Sequence, residues 1–149
     1  MAELIIDSNY YNKLDIEGFS KMMSSPSYCY KFYWLEAIVQ LISANRTEAT
    51  YDEIINKMIA NAWFPVQEYH IHLSGIYGDG EVKDNLEKAV SRLYELTQLP
   101  SNANEIQIMN KLAEFSDDKE LHLYKTELTK NVPYKALSGI ANKGTEKRN

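Results

Sequence analysis

The chain has 149 residues, 44% of them hydrophobic and 25% charged, with a formal net charge of −5. A chain of that length is expected to form one domain and to bury roughly two-thirds of its unfolded surface without a metal or disulfide staple. Cys29 is the sole cysteine, which excludes an intrachain disulfide and a cysteine-based zinc cluster and fits a reducing compartment. Six glycines and four prolines are too few for the many tight turns of an all-β sandwich. The acidic excess argues against indiscriminate binding to DNA or RNA, whose affinity comes mostly from neutralising phosphates. The N-terminal MAELIIDSNYYNK lacks the basic start and long apolar run of a secretory signal. No segment reaches the ~20 consecutive apolar residues of a membrane helix. The expectation is a cytoplasmic protein with no membrane partner.

In chain order, ELII near the N-terminus reads as a short edge strand or a docked arm. Asp15 to Ser24 reads as a short helix with Ile16, Phe19 and Met22 or Met23 on one side. The SSPS that follows breaks it and offers a cap to the next element. That element, SYCYKFYWLEAIVQLISANR, places Phe32, Leu35, Ile38, Val39 and Ile42 on one helical stripe, the expected core face. Trp34, Ala37 and Leu41 widen the apolar surface past half the circumference, the pattern of a central bundle helix.

Thr50 followed by Glu53 has capping-box spacing. The helix it starts carries Ile54, Ile55, Met58, Ile59, Ala62 and Trp63, with Pro65 expected to stop or kink it. Val66 to Leu73 fits a strand or a continued helix, and Gly75 to Glu81 is a glycine-rich loop. Val82, Leu86, Ala89, Val90, Leu93 and Leu96 define the next helix, closed by Pro100. Ser101 to Phe115 starts another on Ile106, Met109 and Leu112 or Ala113. Ser116 then suits the N-cap of a helix with Leu121, Tyr124 and Leu128 inward and acids in its first turn. NVPYKALSGIANKG reads as a turn and a short helical segment, and TEKRN as disordered tail. The expected architecture is all-α, a compact bundle of six or seven helices. It spans one domain over residues 1–140, with a disordered basic tail at 141–149. No internal repeat is visible.

Sites are sparse. Glu68, His70 and His72 would share one face of a strand and could meet a metal, but no other cluster supplies further ligands. Ordinary surface histidines explain them as well. Asp79, Glu81, Asp84 and Asn85 lack calcium-loop spacing. Cys29 beside Lys31 would sit in a first helical turn that favours thiolate, yet no adjacent histidine activates it, and a structural thiol is the plainer reading. Tyr28, Tyr30, Phe32, Tyr33 and Trp34 could stack bases, but only Lys31 is interleaved with them, so core packing is favoured. No catalytic motif is found and no cofactor is implied. The final twenty residues hold Lys130, Lys135, Lys143, Lys147 and Arg148 against one acid, a sum of +4 that leaves −9 on the rest. Those five are the candidate phosphate contacts if DNA is touched.

YKFYWLEAIVQLI, YDEIINKMIANAWFPV and VPYKAL occur here in that order. Together they resemble the N-terminal helical region of bacterial HNH-endonuclease-domain proteins, metal-dependent DNA nucleases. The likeness runs from about Tyr28 to Leu137, and the nuclease unit has no counterpart among the twelve residues after it, so no catalytic residue carries over. It implies a non-catalytic helical module that binds a partner protein, self-associates or positions DNA, in a setting such as phage defence. An alternative is a stand-alone acidic interaction protein, an inhibitor or immunity partner that masks a basic surface. A third reading makes the Tyr-rich helix and the Gly75–Gly80 loop the mouth of a small-ligand pocket.

Overall fold

The computed structural model describes residues 29–74, 81, 82 and 84–141 together with Glu17 and Ser20, with side chains inside the last helix described as far as Val132. The chain divides into two compact units, one of Ser27–Pro133 and one of Met1–Pro26 with Tyr134–Asn149. The packing below is that of the first. Among the described residues the protein is all-helical. These residues form five bounded helices: α1 (Tyr30–Ser43), α2 (Tyr51–Tyr69), α3 (Asn85–Thr97), α4 (Glu105–Glu114) and α5 (Lys119–Ala141). Glu17 and Ser20 also have helical backbone. The rest of the Asp15–Ser24 segment, the ELII arm, the Gly75–Gly80 loop and the 142–149 tail lie outside the described residues.

The centre of the unit is α2, which packs on α1, α3 and α4. Its Ile55, Met58, Ile59, Ala62, Trp63 and Val66 are all buried, the i, i+3, i+4, i+7 spacing of one inward face. α3 adds Leu86, Ala89, Val90 and Leu93, α4 adds Ile108 and Leu112, and α5 adds Leu121, Leu128 and Val132. Trp63 is the largest fully buried side chain, and its indole N–H donates to the Pro100 carbonyl at 3.0 Å. A buried indole needs that acceptor, so the turn before α4 is fixed to α2.

The helix starts follow capping chemistry. Thr50 and Glu53 form the expected box, the Thr50 hydroxyl accepting from Glu53 N–H at 3.2 Å and Glu53 Oε2 accepting from Thr50 N–H at 2.8 Å. Asn104 and Gln107 form a second, which the sequence reading missed because Asn and Gln replace the Ser/Thr and Glu of the usual pair. Asp118 heads α5 in place of Ser116, its Oδ1 accepting from Leu121 N–H at 2.9 Å. Arg92 on α3 grips the same carboxylate with Nη2 at 2.8 Å and Nε at 3.1 Å. Those two bonds hold the Asp118 carboxyl down at about 2.

Three local expectations fail for physical reasons. Pro65 does not end α2, because Val66 beyond it is anchored in the core and Tyr69 meets the Phe64 ring edge-on at 5.4 Å. The segment from Val66 is therefore helix to Tyr69, not strand. Likewise α5 runs on through Pro133 to Ala141, so the separate terminal segment is one helix with its predecessor. The α1 helix is also not central. Its expected core stripe faces the wrong way: Phe32 is 37% exposed, Val39 53% and Ile42 63%. The inward face is the opposite one, with Tyr30 and Ala37 buried and Tyr33 and Trp34 packed against the core. Ala37 is fully buried, and its small side chain lets α1 lie close on α2. Asn61 Nδ2 donates to Gln40 Oε1 at 3.0 Å and ties the two helices laterally.

Candidate functional site

The outward face of α1 is the first candidate surface. Phe32, Leu35, Val39 and Ile42 recur every three or four residues, and three of these four are exposed. Glu36 stands exposed among them. Single exposed apolar side chains are ordinary, but a row along one helix is what an interaction surface looks like.

The second candidate begins where α2 ends. His70 takes a left-handed conformation, φ 50°, and the N–H groups of His70 and Ile71 both turn back to the Pro65 carbonyl. The chain then passes through His72 to Leu73, which is buried again. What holds this segment is Glu87, in the first turn of α3 and only 4% exposed. A carboxylate removed from water needs strong partners. Its Oε2 accepts from Leu73 N–H at 2.9 Å and its Oε1 lies 2.8 Å from His72 Nδ1. With a neutral ring, Nδ1–H donates and Nε2 keeps its lone pair.

Asp84 opens α3 just upstream, its Oδ1 accepting from Leu86 N–H at 2.8 Å and Glu87 N–H at 3.0 Å. Its Oδ2 is buried with no hydrogen-bond partner. Burial, chiefly, raises its carboxyl above the ordinary value, only partly offset by those two N–H groups.

Two clefts, each of about 480 Å³, flank the His72 segment. The first is mostly apolar: Phe32, Pro65, Ile71 and Leu73 form walls, with Tyr33, Glu36 and Cys29 on the α1 side. Burial, and after it the neighbouring Cys29, Glu36 and Asp84, keep the Tyr33 phenol above its usual range. The second is more polar, with His70, Glu87, Ser91 and Glu95 around His72.

The histidines singled out by sequence thus reach the same region but not on a strand. Glu68 is on α2 and takes a hydrogen bond from Ser101 Oγ, His70 is the helix cap, and His72 belongs to Glu87. Among the described residues no three His, Cys, Asp or Glu side chains are grouped to hold a metal. Cys29 lines the first cleft, with no side-chain hydrogen bond capping α1. Of the five basic candidates, Lys130 is exposed and paired with Glu127 at 3.0 Å. Lys135 lies on α5 with its side chain outside the described part, as are Lys143, Lys147 and Arg148 altogether.

Several other described cations are engaged too. Arg46 pairs with Glu53, Lys57 with Glu105, Arg92 with Asp118, Lys111 with Glu114 and Lys125 with Asp52. Residues 27–133 carry 16 acidic and 10 basic side chains, net −6, so pairing leaves acid in excess. Among the described residues no helix is long and apolar enough to cross a membrane.

Sequence reasoning missed Glu87 as the organiser. The signal was Asp84-x-x-Glu87, a capping-box spacing whose second member here turns away to the His72 segment. Fold and surface define an all-helical, acid-rich domain. Set against protein-family models, curated proteins and solved structures, the chain matches none.

Proposed function

We propose that this protein is a non-catalytic, protein-binding helical module whose outward α1 face docks an amphipathic helix of a basic partner. The observation that carries this is the exposed row Phe32, Val39 and Ile42 on a helix whose other side already fills the core. Burying such a row against a partner helix is the helix-in-groove mode of recognition. The net −6 of residues 27–133 favours a basic partner, through faster encounter and rejection of acidic competitors.

The resemblance to the N-terminal region of HNH-type nucleases is compatible with this role, since such a module could meet a nuclease or its assembly partner, and phage defence is a setting that resemblance suggests. Positioning DNA is the second reading. It rests on the basic run from Lys130 through Lys135, Lys143 and Lys147 to Arg148, and ranks lower because Lys130 is already paired.

A photo-reactive phenylalanine analogue at Val39, with the same analogue at exposed Ile106 on α4 as control, tests the proposal in native extract. The expected result is one saturable crosslink from position 39, to a basic protein. It should be absent from position 106 and lost in a Phe32→Arg/Ile42→Arg background. Equal labelling from both positions, no product, or a dimer of this chain would overturn the proposed partner.

A further inference from the structure

The first cleft shares Phe32 and Glu36 with the outward face of α1 but not Val39 or Ile42, and its remaining walls, Pro65, Ile71 and Leu73, come from elsewhere in the chain. We propose that this cleft binds a primary ammonium carried on an apolar stem, its charge taken by Glu36 and its stem lying between Phe32, Pro65, Ile71 and Leu73. At about 480 Å³ it falls within the size range of small-molecule sites, and its apolar walls with a few polar groups have their composition.

The charge decides the sign of the ligand. Among the described residues neither Lys nor Arg lines the cleft. Glu36 is exposed there and makes no ion pair among the described residues. Glu36 is the one carboxylate among the described lining residues, on the same side as Tyr33.

The chemistry of the donors decides the kind of cation. No metal-ligating trio exists among the described residues, so a bare ion is disfavoured and the apolar walls call for hydrocarbon. A quaternary ammonium would want an open aromatic cage, yet the Phe32 ring already carries Lys31 Nζ at 5.5 Å. A primary ammonium has three N–H donors, which Glu36, the Tyr33 hydroxyl oxygen and His72 can accept. Such a group comes either as a free amine or as a lysine side chain.

Amide chemical shifts of the ¹⁵N-labelled full chain, titrated with phenethylamine, 3-phenylpropionate and Nα-acetyl-lysine methylamide, test this. The expected result is saturable movement of the Tyr33, Ile71 and Leu73 amides by phenethylamine, with Kd on the order of 1 mM for a ligand of that size. Glu36→Gln should weaken it about tenfold, the loss of one charge-assisted bond, with the melting temperature unchanged because Glu36 is exposed. A response to phenethylamine alone assigns a free amine; a response to the lysine derivative as well admits a side chain. No movement up to about 10 mM amine, equal binding of the carboxylate, or an unaffected Glu36→Gln would overturn the proposal, and each would leave the α1 docking surface as it stands.

Discussion

Helices α1 and α2 look alike as sequences and behave differently as structures. Both are largely apolar, and each carries one tryptophan and a set of aliphatic residues that a periodicity count would send inward. In α2 most of the aliphatic residues and Trp63 occupy one stripe, the opposite side carrying Glu53, Lys57 and Glu68 with the exposed Phe64, so one orientation hides most of the hydrocarbon. In α1 the apolar residues run most of the way round, and two orientations satisfy the count. The structure selects the side with the small Ala37 and the aromatic Tyr30, Tyr33 and Trp34. That choice leaves the aliphatic side outward. Where a helix is apolar on both faces, close approach decides which face is core, and the other becomes available for a partner.

The largest effect should come from α2. Trp63→Ala removes a fully buried indole and its bond to the Pro100 carbonyl, and should cost about 3–5 kcal/mol in denaturant unfolding. A loss below about 1 kcal/mol, the ordinary mutational mean, would mean that α2 is not the centre of the unit.

A smaller effect separates the two helix starts. α2 opens on a complete capping box, whereas the residue before α1, Cys29, makes no side-chain cap. Thr50→Ala should cost about 1 kcal/mol at neutral pH. Glu53, the other half of the box, adds a pH dependence of its own. The Thr50 N–H, first, and Arg46 lower its carboxyl below the ordinary 4.5, so the folded state holds that proton less tightly than the unfolded chain. Its contribution is therefore complete above the ordinary value and is lost as pH falls through the lowered one. A Glu53→Gln variant, which keeps the Thr50 hydroxyl cap, should be less stable than the parent at neutral pH, with a penalty that shrinks in acid. A penalty that grows in acid would place the box's stabilisation elsewhere.

Much of the fold was legible in the residues. The helical class, the stripes of α2, α3 and α5, and the Thr50–Glu53 box follow from spacing and cap chemistry alone. What was not legible depends on tertiary contacts. Pro65 reads as a stop until Val66 and the Phe64–Tyr69 contact hold the next turn. The face of α1 could not be chosen without knowing what α2 presents to it. The clefts were hidden for the same reason. Cys29, Tyr33 and Glu36 lie far from His72 in sequence and share a cleft with it only because Glu87 draws the Ile71–Leu73 segment against α3. His70 and His72 were noticed for the wrong geometry. A strand would have aligned both with Glu68, whereas the helix end separates all three.

The account turns on the outward face of α1 being surface and not core. Equilibrium unfolding of the Val39→Arg/Ile42→Arg double variant tests this most directly. The account predicts stability within about 0.5 kcal/mol of the parent, the range of surface substitutions. A loss of several kcal/mol would show that these two side chains are buried in the folded protein, and would contradict it.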